Sequence, residues 1–230
     1  MLIHAIFEQN FREKVVGTVA SLASGAAFVV SVLLAYSVSL NHGEVVRWQL
    51  AEWIHVGTLQ LDWTFRMDSL STTMMLVVSG VGTLIHIYAI GYMHGDSRFS
   101  KFFLYLNLFA FSMLMLVLGS NMLVTFLGWE GVGTCSYLLI SFWHEKESAA
   151  TAGKKAFITN RVGDWGFMMA MFFAFWAVGS LDYSAINGAA AGLSQTTATA
   201  IALFCFVGAC GKSAQLPLYL WLPDAMEGPT

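Results

Sequence analysis

Glu130 and Lys212 lie inside apolar runs long enough to cross a bilayer, residues 121–142 and 197–222. A charge in hydrocarbon costs roughly 2.5–3.5 kcal/mol even on a forgiving insertion scale, so such residues persist only where they are paired, wetted or used. A carboxyl held between burial and a nearby cation can take up and release a proton, and a buried amine can exist charged or neutral. Facing each other, the two would form a proton gate. Closed, both stay charged; drawn apart, the lysine can pass its proton onward. The alternative is a static ion pair that locks two helices, and sequence spacing alone leaves their contact open.

Further residues belong with them. Arg161 and Asp164 stand three apart in NRVGDWGF and so share one helix face. They read as an intrahelical salt bridge near the membrane surface, or as exchange partners for Glu130 or Lys212. His86, in GTLIHIYAIGYM, lies in the middle of an apolar run. Its near-neutral titration keeps it among proton-path candidates, against the plainer reading of a packing histidine. Asp68, Asp224 and Glu227 sit at run ends, where carboxylates cap helices or reach for water. Pro217 follows Lys212 in GKSAQLPLYLWLP. Proline removes a backbone hydrogen bond and clashes with the preceding turn, which predicts a helix break near residues 214–216. Broken helices at membrane depth require cover by protein or a wet cavity, and transporters place ion sites at such breaks.

The elements that must hold these residues are read from composition. The chain has 230 residues, 57% hydrophobic and only 11% charged, with mean hydropathy +0.66. Soluble domains carry about 25% charged residues, so this is an all-α membrane protein by class. Six spans are predicted, over about 15–40, 67–92, 102–118, 121–142, 155–178 and 197–222. Between them, 41–64 reads as a long loop with His42, Glu44, Arg47, Glu52 and Asp62. Gly119 and Ser120 make a tight turn that forces the third and fourth spans to be antiparallel neighbours. Ser21, Ser24, Gly25, Ala26, Ala27, Gly80 and Gly82 suit close helix approach in lipid. Trp48, Trp53, Trp63, Tyr92, Trp143 and Trp221 read as interfacial belts.

Orientation follows from basic residues in the loops. Arg12, Lys14, Arg98, Lys101, Lys146, Lys154 and Lys155 fall on the N-terminal side, against Arg47 and Arg66 opposite. The N-terminus should therefore face the negative compartment and the 41–64 loop the positive one.

Several function classes drop out. No basic tract suggests nucleic acid, and the net charge of −3 names no partner. GACGKSAQ resembles a phosphate loop only in part, since Phe206 stands where that pattern needs glycine. Cys135, Cys205 and Cys210 lie in apolar runs without CxxC spacing and read as packing residues. No residue set has the look of a metal, flavin, haem or iron–sulfur site. The opening MLIHAIFEQN lacks a basic region and a small-residue cleavage site, so no cleavable signal is expected.

The strings LGWEGVGTCSYLLISFW, KAFITNRVGDWGF and GACGKSAQLPLYLWLPDAMEGPT closely resemble chain L of bacterial NADH–quinone oxidoreductase and its mitochondrial counterpart, subunit 5 of respiratory complex I. RMDSLSTTMMLVVSGVGTLIHIYAIGYM and SRFSKFFLYLNLFAFSMLMLVLGSNMLV resemble the preceding part of the same family, so the match runs from about residue 15 to the end. The resemblance implies an antiporter-like fold of two inverted five-helix repeats, each with a broken helix and half of a proton path. Glu130 then matches the family's membrane glutamate, Lys212 its broken-helix lysine, and Arg161 with Asp164 the pair on the intervening helix. The chain should be a fragment lacking the family's first helix, the following helix with its relay histidine, and the second repeat. Residues 1–100 would be N-terminal helices before the repeat, and 101–230 an incomplete first repeat.

The resemblance also implies a proton-translocating subunit that carries no redox centre. NADH, FMN, iron–sulfur clusters and quinone would belong to partner subunits of the oxidoreductase. The site would be the bacterial inner membrane or, alternatively, the mitochondrial inner membrane. Two other readings are a subunit of a multisubunit cation/proton antiporter and a scaffold with inert ion pairs. GVGTCSYLL after Trp129 and Glu130 favours the oxidoreductase.

Overall fold

The computed structural model describes the backbone of residues 2–40 and 44–229, with side chains from residue 12 onward. Seven α-helices are described: α1 (Leu2–Leu40), α2 (Ser69–Tyr92), α3 (Phe99–Leu118), α4 (Met122–Ile140), α5 (Glu147–Val178), α6 (Tyr183–Ala189) and α7 (Gln195–Lys212). Four are long and apolar enough to cross a membrane: Arg12–Leu40 of α1, then α2, α3 and α4. α5 and α7 fall short of that measure. Arg161 and Asp164 lower the mean hydropathy of one, Gln195 and Lys212 that of the other.

Helix starts follow local chemistry. Asp68 accepts from Ser71 N and Ser71 Oγ bonds back to Asp68 N, a capping box that begins α2. Asn121 Oδ1 accepts from Val124 N at 2.9 Å and begins α4. Ser194 does the same for α7 through Thr197 N. Gly179, left-handed at φ 74°, ends α5.

Between α1 and α2 the expected loop is instead an antiparallel hairpin, β1 (Val46–Val56) and β2 (Leu59–Met67). The chain is thus mostly helical rather than all-α. The reason lies in the residues: VRWQLAEWIHV and LQLDWTFRM are rich in strand-forming types, and Gly57 takes φ 57° at the turn between them. The three residues 41–43 of that expected loop, His42 included, lie outside the described residues.

The hairpin seats on one end of the bundle. Ser120 N donates to Thr64 O at 3.1 Å, Asn121 Nδ2 to Asp62 O at 3.0 Å, and Arg47 approaches Asp182 at 3.6 Å. The other end gathers Glu13 with His94 (2.9 Å), Lys155 with Asp224 (2.6 Å), and Arg98 with Glu145, His144 and the Phe142 carbonyl. These two sets of contacts make the long helices alternate in direction. The expected α3–α4 antiparallel pairing is present, and it is tight. A Cβ on Gly128 would lie 2.4 Å from Leu116 N.

α5 and α7 also pack closely. Gly163 and Gly211 face each other so closely that a Cβ on either would come within 2.9 Å of the other's Cα. After Lys212 the helix stops, Ala214 takes φ 48°, and only short 3-10 turns follow at Tyr219–Trp221 and Pro223–Glu227. The expected break near Pro217 is present, but the helical part ends sooner than 222. Trp221 is no interfacial anchor: its Nε1–H donates to Gly211 O at 3.0 Å, a carbonyl left without a helical partner by the break. Gly208 to Lys212 are helical, which removes the phosphate-loop reading.

Candidate functional site

Four charged side chains from three helices meet around the end of α7. Arg161 Nη1 on α5 donates to Glu130 Oε1 on α4 at 2.6 Å. Arg161 Nε also lies 3.8 Å from Asp164 Oδ2, one turn along the same helix. Arg161 therefore serves both acids, and two acids balance two bases within the cluster. The expected intrahelical pair is present only as the longer of these two contacts.

Asp164 is 4% exposed. Its Oδ1 accepts a 2.6 Å hydrogen bond from Trp129 Nε1. The Trp129 ring stacks on Phe167, with centroids 5.2 Å apart. Lys212 Nζ lies 5.7 Å from the centroid of the same Trp129 ring, within cation–π range. It has no hydrogen-bond acceptor, and among the described residues no carboxylate oxygen comes within 4.0 Å of it. The direct Glu130–Lys212 ion pair allowed by sequence is not made; Arg161 takes that glutamate instead. Only glycine at 133 leaves room for the lysine, since a Cβ there would sit 2.6 Å from Nζ.

An ammonium without an acceptor, beside two carboxylates already engaged, is a costly arrangement. It does not serve stability well. Arg161 and Trp129 are each held in place by aromatic rings. The Arg161 guanidinium lies 4.8 Å from the Phe157 centroid. The cluster is shielded unevenly: Arg161 is 45% exposed and Glu130 23%.

His86 is buried elsewhere. Its Nδ1 bonds Gly82 O at 2.7 Å, and its ring packs 6.2 Å from Phe103, within the apolar cluster of α1, α2 and α3. The structure does not bring it to the four charges, although its Nε2 is buried without a partner. Asp68 is a helix cap, Asp224 pairs with Lys155, and Glu227 accepts from Ser148 Oγ at 2.9 Å. The three cysteines are free. Sequence reasoning missed Trp129. Its signal was its place beside Glu130 and four residues before Gly133, deep in a span rather than at an interface.

Comparison with known proteins matches most of the chain to one membrane family. Residues 119–230 match the family model "NADH:quinone oxidoreductase/Mrp antiporter, TM", and residues 53–103 match "NADH-Ubiquinone oxidoreductase (complex I), chain 5 N-terminus". The chain is similar to NADH-quinone oxidoreductase subunit L of Mycobacterium tuberculosis, 49% identical over 90% of this chain and 33% of that protein. It is similar to NADH-ubiquinone oxidoreductase chain 5 of Allomyces macrogynus, 48% identical over 84% of this chain and 30% of that protein. The chain thus spans about a third of the length of the curated relatives it matches. Among solved structures, the Mrp complex from Dietzia sp. DQ12-45-1b superposes with a TM-score of 0.75 at 22% identity, covering 97% of this chain and 25% of that one. At that identity the likeness concerns the fold alone.

Proposed function

Because the chain belongs to the antiporter-like family of NADH–quinone oxidoreductase subunit L and chain 5, a multi-pass membrane family with bacterial and mitochondrial members, we propose that its parent protein translocates protons for the oxidoreductase complex. Redox chemistry resides in partner subunits, which carry NADH, FMN, iron–sulfur clusters and quinone. This chain supplies part of one proton path. Residues 1–100 precede the repeat and 101–230 form its first part, a division supported by the gap between the two family matches at 103 and 119. The surplus of basic residues around the Arg98 end supports an N-terminus on the negative side.

The observation that carries the reading is the unpartnered Lys212 ammonium in a cluster whose acids are held by Arg161 and Trp129. With Glu130 on Arg161, Lys212 stands in the separated state of the gate and is placed to hand a proton onward. If Arg161 shifts its hold, Glu130 becomes open to Lys212, which then keeps its proton. Driving one charge against 100 mV takes about 2.3 kcal/mol, within reach of such partner exchange. His86 stands apart from this route.

In the full-length parent within its complex, Glu130→Gln and Lys212→Ala are expected to slow NADH-driven proton pumping at least about tenfold, equivalent to about 1.4 kcal/mol on the barrier. Assembly should survive. Unchanged pumping and quinone-reductase rates in both variants would refute the proposal.

The family model matched by residues 119–230 also takes in the Mrp antiporter, which supports a second reading, a cation/proton antiporter subunit. Cation-dependent proton exchange in vesicles without NADH would favour it. A scaffold with inert ion pairs predicts normal turnover and pumping after both charges are removed.

A further inference from the structure

Resting on the proton-path reading, we infer that Trp129 is a positioning residue that divides the cluster: its indole N–H holds the Asp164 carboxylate while its ring face carries the Lys212 ammonium, so the two cannot close into a direct ion pair. Three contacts place it. Nε1 donates to Asp164 Oδ1 at 2.6 Å, Lys212 Nζ lies 5.7 Å from the ring centroid, and Phe167 stacks on the ring at 5.2 Å. The stack continues to Phe126, 5.6 Å beyond Phe167, so the indole plane is fixed by a row of rings rather than free to swing.

The division matters because attraction between opposite charges is strong where water is scarce. Arg161 is occupied by Glu130 and approaches only Asp164 Oδ2. Without the indole, Asp164 Oδ1 loses its donor and Lys212 loses its π face. Each then becomes the other's best partner. A closed Lys212–Asp164 pair would hold the lysine proton and stall its transfer. Trp129 thus keeps Lys212 charged yet unpaired, a state that neither a carboxylate neighbour nor plain lipid would maintain. A phenyl or aliphatic side chain cannot fill both parts, because it lacks the donor that indole carries at the edge of its electron-rich face.

The test uses the full-length parent in its intact complex, with two variants. Tetrafluorotryptophan at 129 keeps shape and N–H but drains the ring face; Trp129→Leu removes both functions. The readouts are the Lys212 side-chain position by electron cryomicroscopy and the pumping rate. In both variants Lys212 Nζ is expected to leave its place against Gly133, and in the leucine variant, which also frees Asp164 Oδ1, to reach ion-pair distance of Asp164, with pumping slowed several-fold in each. Should the leucine variant fail to assemble, the isosteric fluorinated one still decides. Lys212 remaining against Gly133 on the fluorinated ring overturns the inference. The proton-path reading fails separately, if Lys212→Ala pumps normally; the ammonium's position in the fluorinated protein still decides the role of Trp129.

Discussion

Gly133 is where a single missing methyl group decides the behaviour of a charge. Nothing but Lys212 Nζ lies within 4 Å of a Cβ built there, so Gly133→Ala meets only the tip of a flexible side chain. The variant is expected to assemble with unchanged thermal stability, yet to pump several-fold more slowly because the ammonium loses its seat. Normal pumping would mean that the seat is incidental. Residue types were legible here in sequence: Glu130, Arg161, Asp164 and Lys212 all announce themselves as charges in apolar runs. Their pairing was not. Arg161 reaches Glu130 across 31 positions because α4 and α5 pack together, and no spacing rule links residues on different helices. Trp129 was passed over for a related reason, since an aromatic in a membrane span looks like filling until its donor is seen on Asp164.

At the scale of elements, the α5–α7 contact sets how far Lys212 reaches. A methyl added at Gly163 or Gly211 meets the opposing backbone at 2.8–2.9 Å, which no side-chain rotation relieves. Gly163→Ala and Gly211→Ala are each expected to destabilise the bundle by about 1–3 kcal/mol, the usual range for overpacking. Gly91→Ala in α2, with nothing within 4 Å, serves as the control and is expected to show no loss of stability in the same thermal unfolding assay. The start of α2 gives a pH prediction. Burial pushes the Asp68 carboxyl up, but hydrogen bonds from Ser71 and the Arg66 charge outweigh it and hold Asp68 below its ordinary 3.8. Its contribution is therefore present above that value and lost as pH falls through the lower folded one. Hydrogen exchange at residues 69–72 should quicken in that acid range, and Asp68→Ala should show the same quickening at neutral pH, with a cost of about 1 kcal/mol. Exchange unaffected by either change would contradict the capping role. Sequence located the long helices well, because apolar runs leave little choice in lipid. It missed the hairpin because bulges at 49–51 and 52–54 break the alternation that would have marked its first strand.

For the whole molecule, the basic loops and the folded ends agree on which elements lie together. Arg98, Lys101, Lys146 and Lys155 fall with the end closed by Lys155 and Asp224, and Arg47 and Arg66 with the hairpin. Membrane-impermeant thiol labelling should therefore reach cysteines at residues 145–152 from the negative side and at Gly57 from the positive side. Labelling in the reverse sense would invert the topology and the direction of the proposed path. The most direct trial of the proton-path claim is the number of protons moved per NADH oxidised, measured in proteoliposomes holding the assembled complex with Lys212→Ala in the full-length parent. A lower ratio than that of the unaltered complex is the result expected here; an equal ratio, at an equal rate of NADH oxidation, would contradict it.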